Sequence, residues 1–394
     1  MSQASERVNR MSFSATLAMT QKARELKQQG HDVISLSIGE PDFNPPQFIQ
    51  DAAIRAMKEG FNGYSPVPGY QDLREAIVKK FKRDNNLNYN VEQIIVSTGA
   101  KQSITNVFLA ILNPGDEVVV PAPYWVSYIE MIKLADGVPV TVETSIDDDF
   151  KITPEQLEKA ITPKTKGFIF SSPCNPSGSL YSRAELAALV EVFKKYPQVT
   201  IVSDEIYEYI NYTGEFTSIA EFPEVFEQTV TVNGMSKAFA MTGWRIGYIG
   251  APLWIAKACN KIQGQTTSGT NSIAQKASIV GLEAPVSEIQ YMIDAFKNRR
   301  ELVVGLAKEI PGFKCNNPEG AFYVFPDITK WIGKELGGKV IKSGDDMAMY
   351  LLENAFVAAV GGDDFGAPNC LRISYAASEE ELKEAFARIK KALS

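Results

Sequence analysis

From about residue 91 to residue 250 the chain keeps switching between two rhythms. Short runs rich in β-branched residues (IIVS, EVVVPA, KGFIFSS, TIVSDE, TVTVN and IGYIGA) are separated mostly by helical or loop stretches. Alternation of this kind builds an α/β fold, a mostly parallel sheet covered by helices. In such a sheet ligands bind beyond the carboxyl ends of the strands, so the loops that follow the strands are where chemistry belongs.

The flanks read differently. Ser14 to Gln29 has a helical pattern, with Ser14 as N-cap and Gly30 as stop. From about residue 285 long helical patterns mix with short strands such as GAFYVFP and LRISYA. The last helix opens with Ser378 and Glu381 in capping-box spacing, and its apolar face is Leu382, Phe386, Ile389 and Leu393. At 394 residues and 45% hydrophobic content, more than one core is expected. The expected division is an N-terminal arm and helix (1–44) joining a small α+β domain (286–394), with a large ligand-binding domain (45–285) between them.

Several function classes drop out. A formal net charge of −7 argues against nucleic-acid or acidic-membrane partners. Cys174, Cys259, Cys315 and Cys370 form no C-x-x-C pair, so free thiols are expected rather than disulfides or zinc. No metal site is expected. The N-terminus MSQASERVNR has no signal-peptide pattern, and no apolar run reaches membrane-spanning length, so a cytoplasmic protein is expected. His31 is the single histidine and reads as a turn residue. Acid–base work must therefore fall to lysine, tyrosine or a carboxylate.

Candidate chemistry gathers at strand ends. TVTVN runs into a Gly/Ser turn holding Lys237, with Arg245 eight residues on. Small and apolar neighbours (Gly234, Met235, Ala238, Phe239) point to partial burial, which lowers a lysine pKa and frees a nucleophilic amine capable of a Schiff base. Ser236 and Arg245 are both suited to a phosphate. Asp204 ends the strand TIVS, where a carboxylate can hold a proton on a heteroaromatic nitrogen; taken alone, a helix N-terminal carboxylate is the better reading. Tyr207 follows three residues later. Gly99 and Ala100 stand at a strand-to-helix turn that leaves N–H groups free for an anion, although no Walker or G-x-G-x-x-G pattern is present. Trp125 is either a stacking surface or a core residue. Asn175 lies in a Pro- and Gly-rich loop, where turn chemistry is the plainer reading.

Taken together, S-K-x-x-x-x-x-G-W-R-I-G, N-P-x-G and S-D-E-x-Y resemble the class I/II aminotransferases of fold type I. The resemblance runs from Gly39-Glu40-Pro41-Asp42 to Leu371-Arg372-Ile373-Ser374, and Ser14-Ala15-Thr16 with Gly99-Ala100-Lys101-Gln102 is similar to the bacterial aspartate aminotransferase subgroup. It implies a seven-stranded sheet, pyridoxal 5′-phosphate as cofactor, and transfer of an amino group from aspartate to 2-oxoglutarate. In this likeness Lys237 carries the cofactor and moves the substrate proton, Asp204 pairs with the ring nitrogen, and Tyr207 and Asn175 bind the ring oxygen. Trp125 stacks on the ring. Gly99, Ala100, Lys101, Ser236 and Arg245 surround the phosphate, with Tyr64 reaching in from the partner of a homodimer. Arg372 clamps the substrate α-carboxylate with help from Asn175 and the Gly39 backbone, and Lys101, Ser14 and Thr16 take the distal carboxylate. Members that also accept prephenate carry a cation where Ser12 stands, and proline is common where Phe13 stands, which counts against prephenate. A lyase or an aromatic aminotransferase shares the same scaffold. A cofactor-binding regulator would carry a basic DNA-binding module, which this sequence lacks.

Overall fold

The structure, a computed structural model, describes residues 4–12 and 15–394. Seven strands form its large sheet: β1 (Ile94–Thr98), β2 (Glu117–Ala122), β3 (Val138–Glu143), β4 (Thr165–Ser171), β5 (Thr200–Asp204), β6 (Thr229–Gly234) and β7 (Ile246–Gly250). The order across the sheet is β1-β7-β6-β5-β4-β2-β3. Neighbours run parallel except at β7, which is antiparallel to both β1 and β6.

The β-branched runs explain the layering, because a parallel sheet must be covered on both faces. Val118 and Val120 pack with Ile104, Val107, Phe108 and Ile255 on one side. Val119 and Ile201, one residue out of phase, pack with Leu186, Leu189, Val190 and Phe193 on the other. Six of the seven strands coincide with the β-branched runs of the sequence. The missing one, β3, lies at the sheet edge, carries Pro139, and leaves Val138, Thr141 and Glu143 exposed, as an edge strand can.

Register lines up the functional end of the sheet. Ser171 of β4 stands beside Asp204 of β5, which stands beside Val232 of β6. The loops leaving these strands therefore open on one edge.

In the C-terminal third, Leu371–Ser374 pairs antiparallel with Val360–Gly361 on one side and Tyr323–Val324 on the other. Ile34–Ser35 pairs parallel with Val357–Ala358. Met19, Ala23 and Leu36 share a core with Phe322, Leu351, Ile373 and Phe386. The helix Gln290–Lys308 touches two cores: Met292 and Ile293 pack toward the large sheet, whereas Phe296, Val303 and Ala307 pack with the C-terminal third.

The N-terminal helix spans Ala15–Gln28, one residue shorter at its end than the pattern suggests, and Gly30 leaves it at φ +93°. Ser14, read as its N-cap, lies outside the described residues. The final helix, Glu379–Ala392, has the expected capping box: Ser378 Oγ accepts from the Glu381 N–H at 3.2 Å, and the Glu381 carboxylate accepts from the Ser378 N–H at 3.2 Å. Leu382, Phe386, Ile389 and Leu393 are buried beneath it. Cys174, Cys259 and Cys370 are buried free thiols, and Cys315 is partly buried. His31 stacks on Phe356 with ring centroids 4.7 Å apart.

Candidate active site

A cavity of about 300 Å³ opens at the carboxyl end of the large sheet. Three stretches of sequence line it: Thr16, Leu17, Gly39 and Glu40 from the N-terminal part, the loops after β1, β2, β4, β5 and β6, and Tyr323 and Arg372 from the C-terminal third. Of the sequence-predicted residues, Thr16, Gly39, Ala100, Lys101, Trp125, Asn175, Asp204, Tyr207, Ser236, Lys237, Arg245 and Arg372 all meet there.

Lys237 leaves the turn after β6, partly buried, and its Nζ donates to the Gly39 carbonyl at 2.5 Å. Burial pushes its pKa down to about 8; Glu40 and Asp204 resist this while Arg372 and Arg245 add to it. Asp204 closes β5 and is buried. Burial pushes its carboxyl up to about 6, held back by the Tyr128 hydroxyl, the Ile206 N–H and Lys237. Tyr128 donates to Asp204 Oδ2 at 2.6 Å, and the Ile206 N–H donates to Oδ1 at 3.3 Å.

Opposite these lies an anion cradle. Helix Ala100–Ile111 begins beside Gly99, whose φ is +81°. The leading N–H groups of a helix have no carbonyl partner within it. A Cβ at Gly99 would collide with the Arg245 guanidinium, and one at Gly247 would collide with the backbone of Gly99 and Ala100. Glycine at both places lets β7 bring Arg245 against the helix start. Arg245 itself sits at φ +60°, and its Nη1 donates to the Thr242 carbonyl at 2.8 Å. Ser236 is buried on the same side. Lys101 Nζ lies 5.0 Å over the Trp125 ring, and burial, then Arg245, lowers its pKa.

Arg372 forms a second cationic wall. It is 2% exposed, yet among the described residues its hydrogen bonds go only to neutral acceptors: Asn175 Oδ1 at 3.1 Å and the Ser37 carbonyl at 2.6 Å. Its Nε is buried without a hydrogen-bond partner among the described residues. Removing a guanidinium from water without a counter-charge is costly, so this side chain is set to receive an anion.

Among the described residues, predicted Gly99 and Tyr64 do not line the cavity; Gly99 stands behind its wall, against Arg245. Ser14 lies outside the described residues. Tyr64 is fully exposed and lines a separate hollow with Phe61, Ser65 and Thr270. Tyr128, Ser171, Thr242, Glu40 and Tyr323, none of them expected from the sequence, also line the site. Tyr128 was within reach, since it lies in the same short stretch, APYWVSY, as Trp125.

The sequence model for aminotransferase class I and II matches residues 31–389. The chain belongs to this aminotransferase family. An aspartate/prephenate aminotransferase of Cereibacter sphaeroides is 50% identical over 388 residues, covering 98% of this chain and 97% of that one. An aspartate aminotransferase of Bacillus subtilis is 47% identical, with 98% of each chain covered. Among solved structures, the aspartate aminotransferase from Rhizobium meliloti superposes with a TM-score of 0.96 at 43% identity, covering 100% of this chain and 99% of that one. That from Thermus thermophilus with maleate gives 0.93 at 42% identity, covering each chain fully. The mixed seven-stranded sheet is thus the aminotransferase fold.

Proposed function

We propose that this aminotransferase moves the amino group of L-aspartate to 2-oxoglutarate, giving oxaloacetate and L-glutamate, with pyridoxal 5′-phosphate as cofactor. The observation that carries the reading is a buried, carboxylate-free Arg372 facing the same cavity as the depressed amine of Lys237.

The residues present suit the cofactor. The helix start at Ala100, Ser236 and Arg245 would hold its phosphate, in a cradle that a Cβ at Gly99 would fill. Asp204 would face its ring nitrogen, Tyr207 and Asn175 its ring oxygen, and Trp125 its flat face. When bound, pyridoxal phosphate supplies an electron sink that acidifies the Cα–H of an amino acid. The protein's part is to hold groups and move one proton. Lys237 tethers the cofactor through its amine and carries the proton at the substrate Cα. Arg372 grips the α-carboxylate as a planar fork, with Asn175 and the Gly39 backbone beside it. Lys101 and Thr16, with Ser14, are assigned to the distal carboxylate; maleate, the ligand of the Thermus thermophilus relative, is likewise a dicarboxylate.

The three-part organisation (1–44, 45–285, 286–394) is proposed on the same footing, supported by the separate cores that meet along helix Gln290–Lys308. A homodimer is proposed as well. It gives the fully exposed Tyr64 a role, that of reaching the phosphate of the partner's site.

A second reading adds prephenate as amino acceptor, since relatives at 50% identity carry that name. Ser12 provides no cation for it. The test is product analysis of the purified enzyme. Aspartate with 2-oxoglutarate is expected to yield oxaloacetate and glutamate in equal amounts; absence of both sinks the principal reading. Replacing 2-oxoglutarate by prephenate decides the second.

A further inference from the structure

One residue ties this cavity together without a part in the roles above. Tyr323 is fully buried on the strand beside Leu371–Ser374, with Tyr323 in register with Ser374. Its hydroxyl lies 2.8 Å from the Tyr207 hydroxyl. Its ring lies 4.8 Å from the Arg372 guanidinium carbon. Its third neighbour is the backbone at position 39, where a Cβ would stand 2.5 Å from the Tyr323 hydroxyl. That backbone is the one whose carbonyl receives Lys237 Nζ. A single side chain therefore touches three segments that are far apart in sequence.

Its two ends act by different physics. A guanidinium over a phenol face is attracted by the ring quadrupole, more strongly when dry, and the flat face restricts the tilt of the flat cation. At the other end two phenols share one hydrogen bond. A phenol that accepts there has its own O–H free to point elsewhere, and accepting strengthens it as a donor.

We propose that Tyr323 is a positioning residue for transamination: its ring sets the plane of Arg372 for the substrate α-carboxylate, and its hydroxyl donates to Tyr207, turning the Tyr207 O–H toward the cofactor's ring oxygen. This rests on the cofactor and carboxylate roles proposed above. The other charged groups facing Tyr207 are Arg372, Asp204 and Lys237, and all remain when Tyr323 is replaced.

The test uses two holoenzyme variants. Tyr323→Phe keeps the ring and loses the hydroxyl. The pH at which the visible band of the bound cofactor changes should rise by about half a unit, because Tyr207 donates more weakly to the ring oxygen. The dissociation constant of maleate, an unreactive dicarboxylate read by spectral titration, should stay within about twofold. Tyr323→Met fills the volume without a π face; it should show the same spectral shift and bind maleate about tenfold more weakly. If that variant fails to fold, a fluorinated phenylalanine at 323 replaces it, weakening the quadrupole at nearly constant shape. An unmoved spectrum in Tyr323→Phe overturns the hydroxyl role. Unchanged maleate binding once the π face is lost or weakened overturns the ring role, and equal loss of both properties in both variants means a merely structural residue. A wild-type protein with no visible band, or no response to maleate, instead refutes the underlying cofactor or carboxylate reading.

Discussion

Burial, more than any ion pair, sets the chemistry of Lys237. Its pKa of about 8 means the amine is neutral above that pH, whereas an ordinary solvated lysine stays cationic to about 10.4. Only the neutral amine is nucleophilic. With pyridoxal phosphate as the proposed cofactor, recombination of the cofactor-free protein with it should therefore accelerate up to about pH 8 and level off beyond it. Stopped-flow absorbance measures this; a rate still climbing past about pH 9.5 would mean that Lys237 is not depressed. Lys237 was readable from its own loop, a lysine among small and apolar neighbours after a buried strand, whereas Asp204 and Arg372 took their expected roles only from the family resemblance. Tyr323 was readable from neither. It meets Tyr207 across 116 residues, and only folding brings the two hydroxyls together. Asp204 likewise finds its donor 76 residues away in Tyr128.

The segment that carries Asp204 and Tyr207 is anchored from behind by a helix. Lys80, on helix Gln71–Asn85, is fully buried and forms an ion pair with Glu208. Asn85 bridges the two, accepting from Lys80 Nζ at 2.6 Å and donating to Glu208 Oε2 at 2.8 Å. Lys80→Met would strand the Glu208 carboxylate in a dry site, at a cost of about 3–5 kcal/mol. Urea unfolding should register that loss, and a change under about 1 kcal/mol would show that water reaches Glu208. This network was invisible in the sequence, where Lys80 is one of several charges on an amphipathic helix. The final helix was the opposite case, since a capping box and a 3.6-residue apolar stripe are both local. Strand alternation revealed the sheet but not the reversed direction of β7, which depends on how the loop from Met235 to Arg245 turns back.

The molecule as a whole is anionic, yet its cavity gathers Lys101, Lys237, Arg245 and Arg372. Field lines from such a cleft draw in anions despite the net charge. The α/β class could be read from the central third alone. The union of the N-terminal helix with the C-terminal third could not be settled that way, because it depends on packing between Met19, Ala23 and residues more than 300 positions later. Tyr64 stands outside every contact that builds the cavity of its own chain. If it serves a neighbour's cavity, damage at position 64 and damage at position 237 fall on different catalytic centres. Two inert proteins, Tyr64→Ala and Lys237→Ala, would then rescue each other when unfolded and refolded as a mixture. Random pairing makes half of the dimers mixed, each with one undamaged centre, so about one quarter of the wild-type turnover should return. Such complementation between two dead alleles would make this enzyme's fitness a property of pairs of chains rather than of single ones.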